Sequence, residues 1–240
     1  MAWIWEGDTR MDERVFCDWV GDTEEHCNEI GIVARQRALE LPLHPAYSDS
    51  LWQHPSHGVR CPMPDRPLEF RVDYFDPPLR SLFGCCWGIA INNAARDALE
   101  ALEPGVHQYL PMELTHKSGK AITDEFWMLN IGQRLDTCSP EHSPHMVEEF
   151  QEVRNPRMML PNGDNVISRY TTGRPWHKGG PPIWRDLCLF AEKRAGRHLW
   201  YEYKMRSKFM SNELFEAWSG IGAVTYKDEL MDNLHPVREI

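Results

Sequence analysis

The alternation of hydrophobic and polar residues is clearest in the middle of the chain and predicts a series of strands there. Residues 68–74 alternate apolar and polar side chains, a pattern typical of a strand with one buried face. Residues 87–91 and 126–131 are short apolar runs and predict strands that are covered on both faces. Residues 106–115 are predicted to be extended as well.

A capped helix is predicted between the strands at 87–91 and 106–115. Asn92-Asn93 supplies an N-cap, because an asparagine side chain accepts hydrogen bonds from the free backbone amides of the first turn. Pro104-Gly105 ends the helix. The residues that share its apolar face are Ala95, Ala98, Leu99 and Leu102.

A second amphipathic helix is predicted over residues 146–153, where apolar side chains recur at helical spacing. Its opposite side carries three carboxylates, those of Glu148, Glu149 and Glu152. We interpret this acidic side either as a contact for a basic partner or as an ordinary solvated face.

The two ends of the chain have weaker patterns. Residues 1–66 predict a loop-rich region with short strands, and residues 31–41 within it predict a short helix. Residues 41–67 contain six prolines and predict a long irregular stretch. A proline- and glycine-rich surface excursion is predicted at residues 155–185. Two further strands, predicted to form a hairpin, cover residues 186–193 and 198–205.

A weak internal sequence similarity relates the predicted central helix to a segment near the C-terminus. Adding 119 to the residue number places Asn93 on Asn212 and Leu99 on Trp218. In both places a short apolar run enters a capped helix, and an extended segment follows. A structural repeat and a chance match of two apolar helix faces both remain open at this point.

Together these patterns predict an α+β protein with mixed or antiparallel sheets and short amphipathic helices. The chain is long enough for one large domain or for two small ones that share a core. We expect residues 67–240 to form the core and residues 1–66 to form a loop-rich N-terminal region that packs on it.

The charge balance changes the range of partners to consider. The chain has 26 lysines and arginines against 36 aspartates and glutamates, a net charge of −10. Such a surface repels polyanions, which argues against nucleic acid as a direct partner. A basic protein is favoured instead, because opposite fields speed the encounter of two proteins and reject wrong partners.

The sequence also indicates where the protein acts. Its first residues are acidic where a signal peptide needs basic ones, and no apolar stretch is long enough to cross a bilayer. We therefore expect a cytoplasmic protein with no membrane partner. Its seven cysteines are odd in number and are expected to be reduced thiols.

No motif predicts catalysis, a metal or a cofactor. Histidine and cysteine cluster near the N-terminus without the paired spacing of structural zinc sites. The cluster comprises Cys17, His26, Cys27, His54, His57 and Cys61. The sequence has no nucleophile elbow, and Gly179-Gly180 is followed by Pro181-Pro182 instead of the residues of a phosphate-binding loop.

Tryptophan is the remaining candidate for recognition, with ten residues in the chain. Trp176 and Trp184 lie in predicted loops among polar neighbours, a setting that protein interfaces favour. Loop tryptophans also anchor their own loops to a domain, so both interpretations stay open. The candidate partner-binding residues are Glu148, Glu149, Glu152, Trp176 and Trp184.

Several of these segments resemble a known family. Residues 91–114, which hold the capped helix, its Pro-Gly-Val end and a following Pro-x-Glu-Leu strand, are similar to the central signature of immunity-protein family eleven of bacterial polymorphic toxin systems. The run Trp-Met-Leu-Asn-Ile at 127–131, Asp136, and residues 209–214 with 222–224 fit the same pattern. The resemblance covers about residues 68–235.

This resemblance implies a non-enzymatic cytoplasmic antitoxin that binds and neutralises a cognate toxin or secreted effector. Two alternatives remain. One is a metal-dependent enzyme that reverses the toxin's damage, which requires the N-terminal cysteines and histidines to converge. The other is a structural, oligomeric module without a toxin partner.

Overall fold

The computed structural model describes residues 1–5, 15–39, 58–74, 79–86, 88–144, 146–152, 166–171, 187–202, 205, 207–224 and 234–240. Within these residues the chain forms two six-stranded mixed sheets, a separate two-stranded sheet and four α-helices. The predicted α+β class is therefore confirmed. No helix in these ranges is both long and apolar enough to span a lipid bilayer.

The first sheet has the strand order β2-β3-β6-β7-β5-β4, and all its neighbours are antiparallel except β3 and β6. Its strands are β2 (Val15–Trp19), β3 (Leu68–Tyr74), β4 (Leu82–Cys85), β5 (Gly88–Asn92), β6 (Gln108–His116) and β7 (Phe126–Asn130). The sheet curls until its two outer strands meet, since the Cys86 thiol donates a 2.8 Å hydrogen bond to the Cys17 carbonyl.

Helix α1 (Thr23–Leu39) lies against the inner face of this curled sheet. Cys27, Ile30 and Ala34 of the helix are buried with the apolar side chains of β3. The helix begins eight residues before the predicted one, at Thr23 instead of residue 31. The irregular stretch predicted at 41–67 lies mostly outside the described residues; residues 58–67 carry no helix or strand.

The second sheet has the order β11-β14-β1-β13-β12-β8 and includes both ends of the sequence. Its strands are β1 (Ala2–Trp5), β8 (Arg134–Leu135), β11 (Cys188–Leu189), β12 (Leu199–Glu202), β13 (Ser207–Ser211) and β14 (Leu234–Glu239). Strand β1 is sandwiched between β13 and β14 and is antiparallel to both. Its side chains are buried, as expected for a central strand: Ala2 and Ile4 are fully buried and Trp3 is nearly so.

The two sheets are related by an internal repeat. Strands β3-β6-β7-β5-β4 of the first sheet correspond to β11-β14-β1-β13-β12 of the second, and every neighbouring pair has the same relative direction in both. The shift of 119 residues carries β5 onto β13 and the start of helix α2 (Asn93–Leu102) onto that of α4 (Asn212–Gly220). The internal sequence similarity between the two strand–helix segments therefore reflects a structural repeat.

The repeat is permuted along the chain. Repeat one consists of β3, β4, β5, α2, β6 and β7, which are consecutive in sequence. Repeat two consists of β11, β12, β13, α4 and β14, together with β1 from the opposite end of the chain, where repeat one has β7. Two equivalent hydrogen bonds support this assignment. Trp127 Nε1 of β7 donates to Asn93 Oδ1 at 2.8 Å, and Trp3 Nε1 of β1 donates to Asn212 Oδ1 at 3.1 Å.

The repeats join through a shared apolar core in which α2 and α4 pack against each other. Trp218 of α4 is fully buried there and donates from Nε1 to the carbonyl oxygen of Ala95 at 2.9 Å. Both helices begin with the expected kind of cap. Asn92 accepts from the backbone amide three residues later, and so does Ser211.

The predicted helix over 146–153 is wrong. Residues 147–152 form strand β9 (Val147–Glu152), which pairs antiparallel with β10 (Val166–Thr171) in the two-stranded sheet. Strand pairing across the chain overrides the helical spacing of the apolar residues. Glu148, Glu149 and Glu152 are therefore strand positions, and neighbouring strand positions alternate between the two faces instead of forming one helical side.

The predicted C-terminal hairpin is also wrong. Strand β11 pairs with β14, whereas β12 pairs with β13 and β8, so the two predicted hairpin strands lie far apart in the sheet. Residues 195–196 do not make a hairpin turn. Ala195 and Gly196 have positive φ angles of 46° and 76° and end the short helix α3 (Ala191–Arg194).

Candidate interaction surface

The cysteines of the N-terminal cluster meet in the core of the curled first sheet. Cys17, Cys27, Cys61 and Cys85 are buried there, Cys86 packs against the same core, and none of the seven cysteines, all of which the structure describes, forms a disulfide. Burial raises the pKa of Cys61 to about 11 and that of Cys27 further still. These two thiols are therefore protonated at neutral pH and behave as small apolar side chains.

Of the other candidate ligands, the structure describes only His26, whose nearest acidic partner is away from these thiols. His26 Nε2 lies 3.5 Å from Asp65 Oδ1 at the surface, and His54 and His57 are outside the described residues. In the part of the chain that the structure describes, no three histidine, cysteine or acidic side chains are placed to hold a metal ion.

A second buried group consists of Glu103 and His107, directly after α2. His107 Nε2 lies 2.8 Å from Glu103 Oε2, and the backbone amide of Gly132 donates to His107 Nδ1, so that Nε2 carries the proton. The Glu103 carboxylate also accepts from the Leu199 amide at 2.9 Å and from Gln133 Nε2 at 2.7 Å. Because Leu199 belongs to β12, this carboxylate ties the two repeats together.

The arrangement of Glu103 is structural. Burial raises the pKa of this carboxyl, but the hydrogen bonds from His107 and Gln133 outweigh it and hold the pKa below its ordinary value. The His107 side chain is fully buried and both of its ring nitrogens are engaged within the protein. The pair resembles the acid–base part of a catalytic triad, but no external substrate can reach it.

Among the described residues, the outward side of strands β2, β3 and β6 is exposed, and we call it the open face. Alternate side chains of these strands point into the core, and the others point outward. The strand register aligns Asp18 of β2 with Arg71 of β3, and Glu69 of β3 with Glu113 of β6. Asp18, Arg71 and Glu113 are exposed.

The open face is predominantly acidic and has one large aromatic side chain. Its carboxylates are those of Asp18, Glu69, Asp73 and Glu113, and its cations are Arg71 and the adjoining Lys117, whose Nζ lies 2.6 Å from Asp73 Oδ2. Phe16 of β2 is 43% exposed at the same face. An aromatic side chain surrounded by charged groups is typical of protein-binding surfaces.

A protein-family model matches most of the chain. The model of the Immunity protein family (Imm11) matches residues 24–218 of the 240. The chain belongs to the Imm11 immunity protein family. No individual protein of curated function matches it. The Imm11 match includes all of repeat one and most of repeat two, while β1 and β14 lie outside it. The resemblance seen in the sequence is thus confirmed.

Of the predicted partner-binding residues of this Imm11 chain, the three that the structure describes lie outside the open face. Glu148, Glu149 and Glu152 lie on β9, in the separate two-stranded sheet, and their contribution to binding stays a prediction. Trp176 and Trp184 lie outside the described residues.

The sequence contains a signal for one strand of the open face. The polar positions of the strand at 68–74 include Glu69, Arg71 and Asp73, which are the outward side of β3. The neighbouring strands β2 and β6 come from distant parts of the chain, so the complete surface is visible only after folding.

Proposed function

We propose that this protein is an antitoxin that neutralises a cognate protein toxin inside the cell by binding it as a stoichiometric inhibitor. The observation that carries the proposal is the Imm11 match over residues 24–218. The placement of the reactive groups supports it. Glu103, His107, Cys27 and Cys61 are engaged in, or buried by, the fold itself, which favours recognition over bond-making.

The toxin is expected to be basic. The chain carries a net charge of −10, and opposite charge on the two proteins raises their association rate and discriminates against wrong partners.

The proposal is tested by co-expressing this chain with the reading frame next to its gene. We expect that frame to be lethal alone and harmless in the presence of this chain, and the two products to co-purify at equal stoichiometry. A titration of toxin activity then separates an inhibitor from an enzyme. An inhibitor abolishes the activity at one equivalent, whereas an enzyme that reverses the damage protects at a small fraction of an equivalent. Protection below one equivalent, or no complex at all, would refute the proposal.

A further inference from the structure

The two repeats differ at one equivalent surface. In repeat one Glu69 of β3 pairs with Glu113 of β6, and in repeat two Cys188 of β11 pairs with Arg238 of β14, so Cys188 corresponds to Glu69 and Arg238 to Glu113. The shift of 119 residues likewise places Arg71 on Phe190. The positions that form the open face in repeat one therefore have direct counterparts in repeat two.

In repeat two these counterparts are contacted by a segment of the chain itself. A short 3-10 helix, Pro140–His142, lies over them: the His142 ring packs edge-on against Phe190 at 6.4 Å between centroids. The His142 carbonyl oxygen accepts a hydrogen bond of 3.4 Å from Arg238, and Cys188 is fully buried. Arg238 and its counterpart Glu113 are both exposed, so the repeats differ at the other two positions. Cys188 is buried where Glu69 is partly exposed, and Phe190 is partly buried where Arg71 is exposed.

From this difference we infer that the open face of repeat one is the surface that docks the toxin, and that its occupant is a basic segment of that protein. The inference rests on the proposed function. In repeat two this side of the fold is contacted by the segment Pro140–His142. In repeat one the exposed side chains of Asp18, Arg71 and Glu113 on the same side are accessible to an external segment.

The charge of the face determines the chemistry of the occupant. Among the described residues of the face, four carboxylates stand against two cations, one of which, Lys117, is already paired with Asp73. A segment that presents lysine or arginine meets an excess of carboxylate, because Glu69 and Glu113 lie opposite each other and Arg71 is the single cation beside them and Asp18. Phe16, which is 43% exposed, lies at the same face.

A pair of matched double variants tests this surface. Asp18→Lys with Glu113→Lys reverses two exposed carboxylates of the open face, and Glu141→Lys with Glu192→Lys makes the same change in charge at exposed positions of repeat two. The probe is the toxin domain identified by co-expression, and the measurement is its association rate and Kd with each purified full-length variant. Melting temperatures establish that both variants are folded.

We expect the open-face variant to associate at least about tenfold more slowly and to bind at least about tenfold more weakly, and the control to remain within about twofold of the wild type. The conservative variant Asp18→Glu with Glu113→Asp should retain binding, because it keeps the charges. Raising the salt from about 50 mM to about 500 mM should slow the wild type more than the open-face variant.

Two negative results have different meanings. If the wild type binds the toxin and the open-face variant binds equally well, or the control is weakened equally, this surface is not the docking site and the proposed function still stands. If the wild type does not bind the toxin at all, the proposed function fails and this inference fails with it.

Discussion

Replacing Glu103 tests whether one buried carboxylate holds the two repeats together. In Glu103→Ala, the Leu199 amide, the His107 imidazole and the Gln133 amide all lose the acceptor that they now share. Orphaned buried donors cost about 1–3 kcal/mol each, so the loss of the acceptor for three of them costs at least about 3 kcal/mol. We therefore expect Glu103→Ala to lower the free energy of unfolding by about 4 kcal/mol.

Glu103→Gln isolates the role of the charge from that of the shape. The amide oxygen can take the place of Oε2 and accept from His107 and Leu199, but its NH2 group then meets the NH2 group of Gln133. One hydrogen bond is lost and the others lose their charge assistance, which together amount to about 2 kcal/mol.

Urea unfolding at pH 7 measures both variants, provided that the slope of the free energy against urea stays constant. Asp97→Asn is the matched control, because the Asp97 side chain is 67% exposed and its removal should cost less than about 0.5 kcal/mol. A Glu103→Gln protein within about 0.5 kcal/mol of the wild type would refute the structural role of this carboxylate.

The same carboxylate predicts a pH dependence with a definite sign. The folded pKa of Glu103 lies below its ordinary value of 4.5, so its contribution to stability is fully present above that value. It is lost as the pH falls below 4.5 and through the lower folded pKa. The stability difference between the wild type and Glu103→Gln should shrink in this acidic range, and a difference that stays constant there would contradict the assignment.

Three further substitutions and one chemical reaction have expected outcomes. Gly132→Ala should destabilise the protein by about 3 kcal/mol in urea unfolding, because the added methyl group would overlap the carbonyl oxygen of Val106; a neutral result would contradict that packing. Asn92→Ala and Ser211→Ala should each cost about 1 kcal/mol by the same measurement, and markedly unequal costs would argue against equivalent caps. Iodoacetamide should modify Cys86 before the other thiols, and peptide mass spectrometry measures the order of labelling. Cys86 is the only one of the seven cysteines that is not buried, and a hydrogen bond with Cys85 lowers its pKa. Faster labelling of a buried cysteine would contradict this order.

The sequence predicted best where local periodicity and burial agree. Strand β3 and helix α2 were recognisable because β3 has one buried face and α2 has one apolar stripe between a cap and a proline. Residues 147–152 were misread because their apolar spacing fits a helix, while pairing with β10, more than a dozen residues away, decides the structure.

The candidate site was less accessible to prediction for a topological reason. The polar side of β3 was visible as a pattern, but nothing local specifies that β2 and β6 become its neighbours. Strand β1, which contains Trp3, is a second case in which the neighbouring strands could not be predicted. Its apolar residues predict a short strand, but only the folded chain reveals that β1 completes repeat two between β13 and β14.

Because of the permutation, the strands that pair in repeat two are much farther apart in the sequence than those of repeat one. All strands of repeat one lie between residues 68 and 130, whereas repeat two needs Ala2 to pair with Ser211 and with Val237. Closing so long a loop costs entropy before any contact compensates for it, and the cost is smaller for the nearer pairings of repeat one. Repeat one is therefore the part best placed to form first. Its helix α2 then offers the surface on which Trp218 and the rest of repeat two pack. The hydrogen bond from the Leu199 amide to the Glu103 carboxylate connects β12 of repeat two to repeat one.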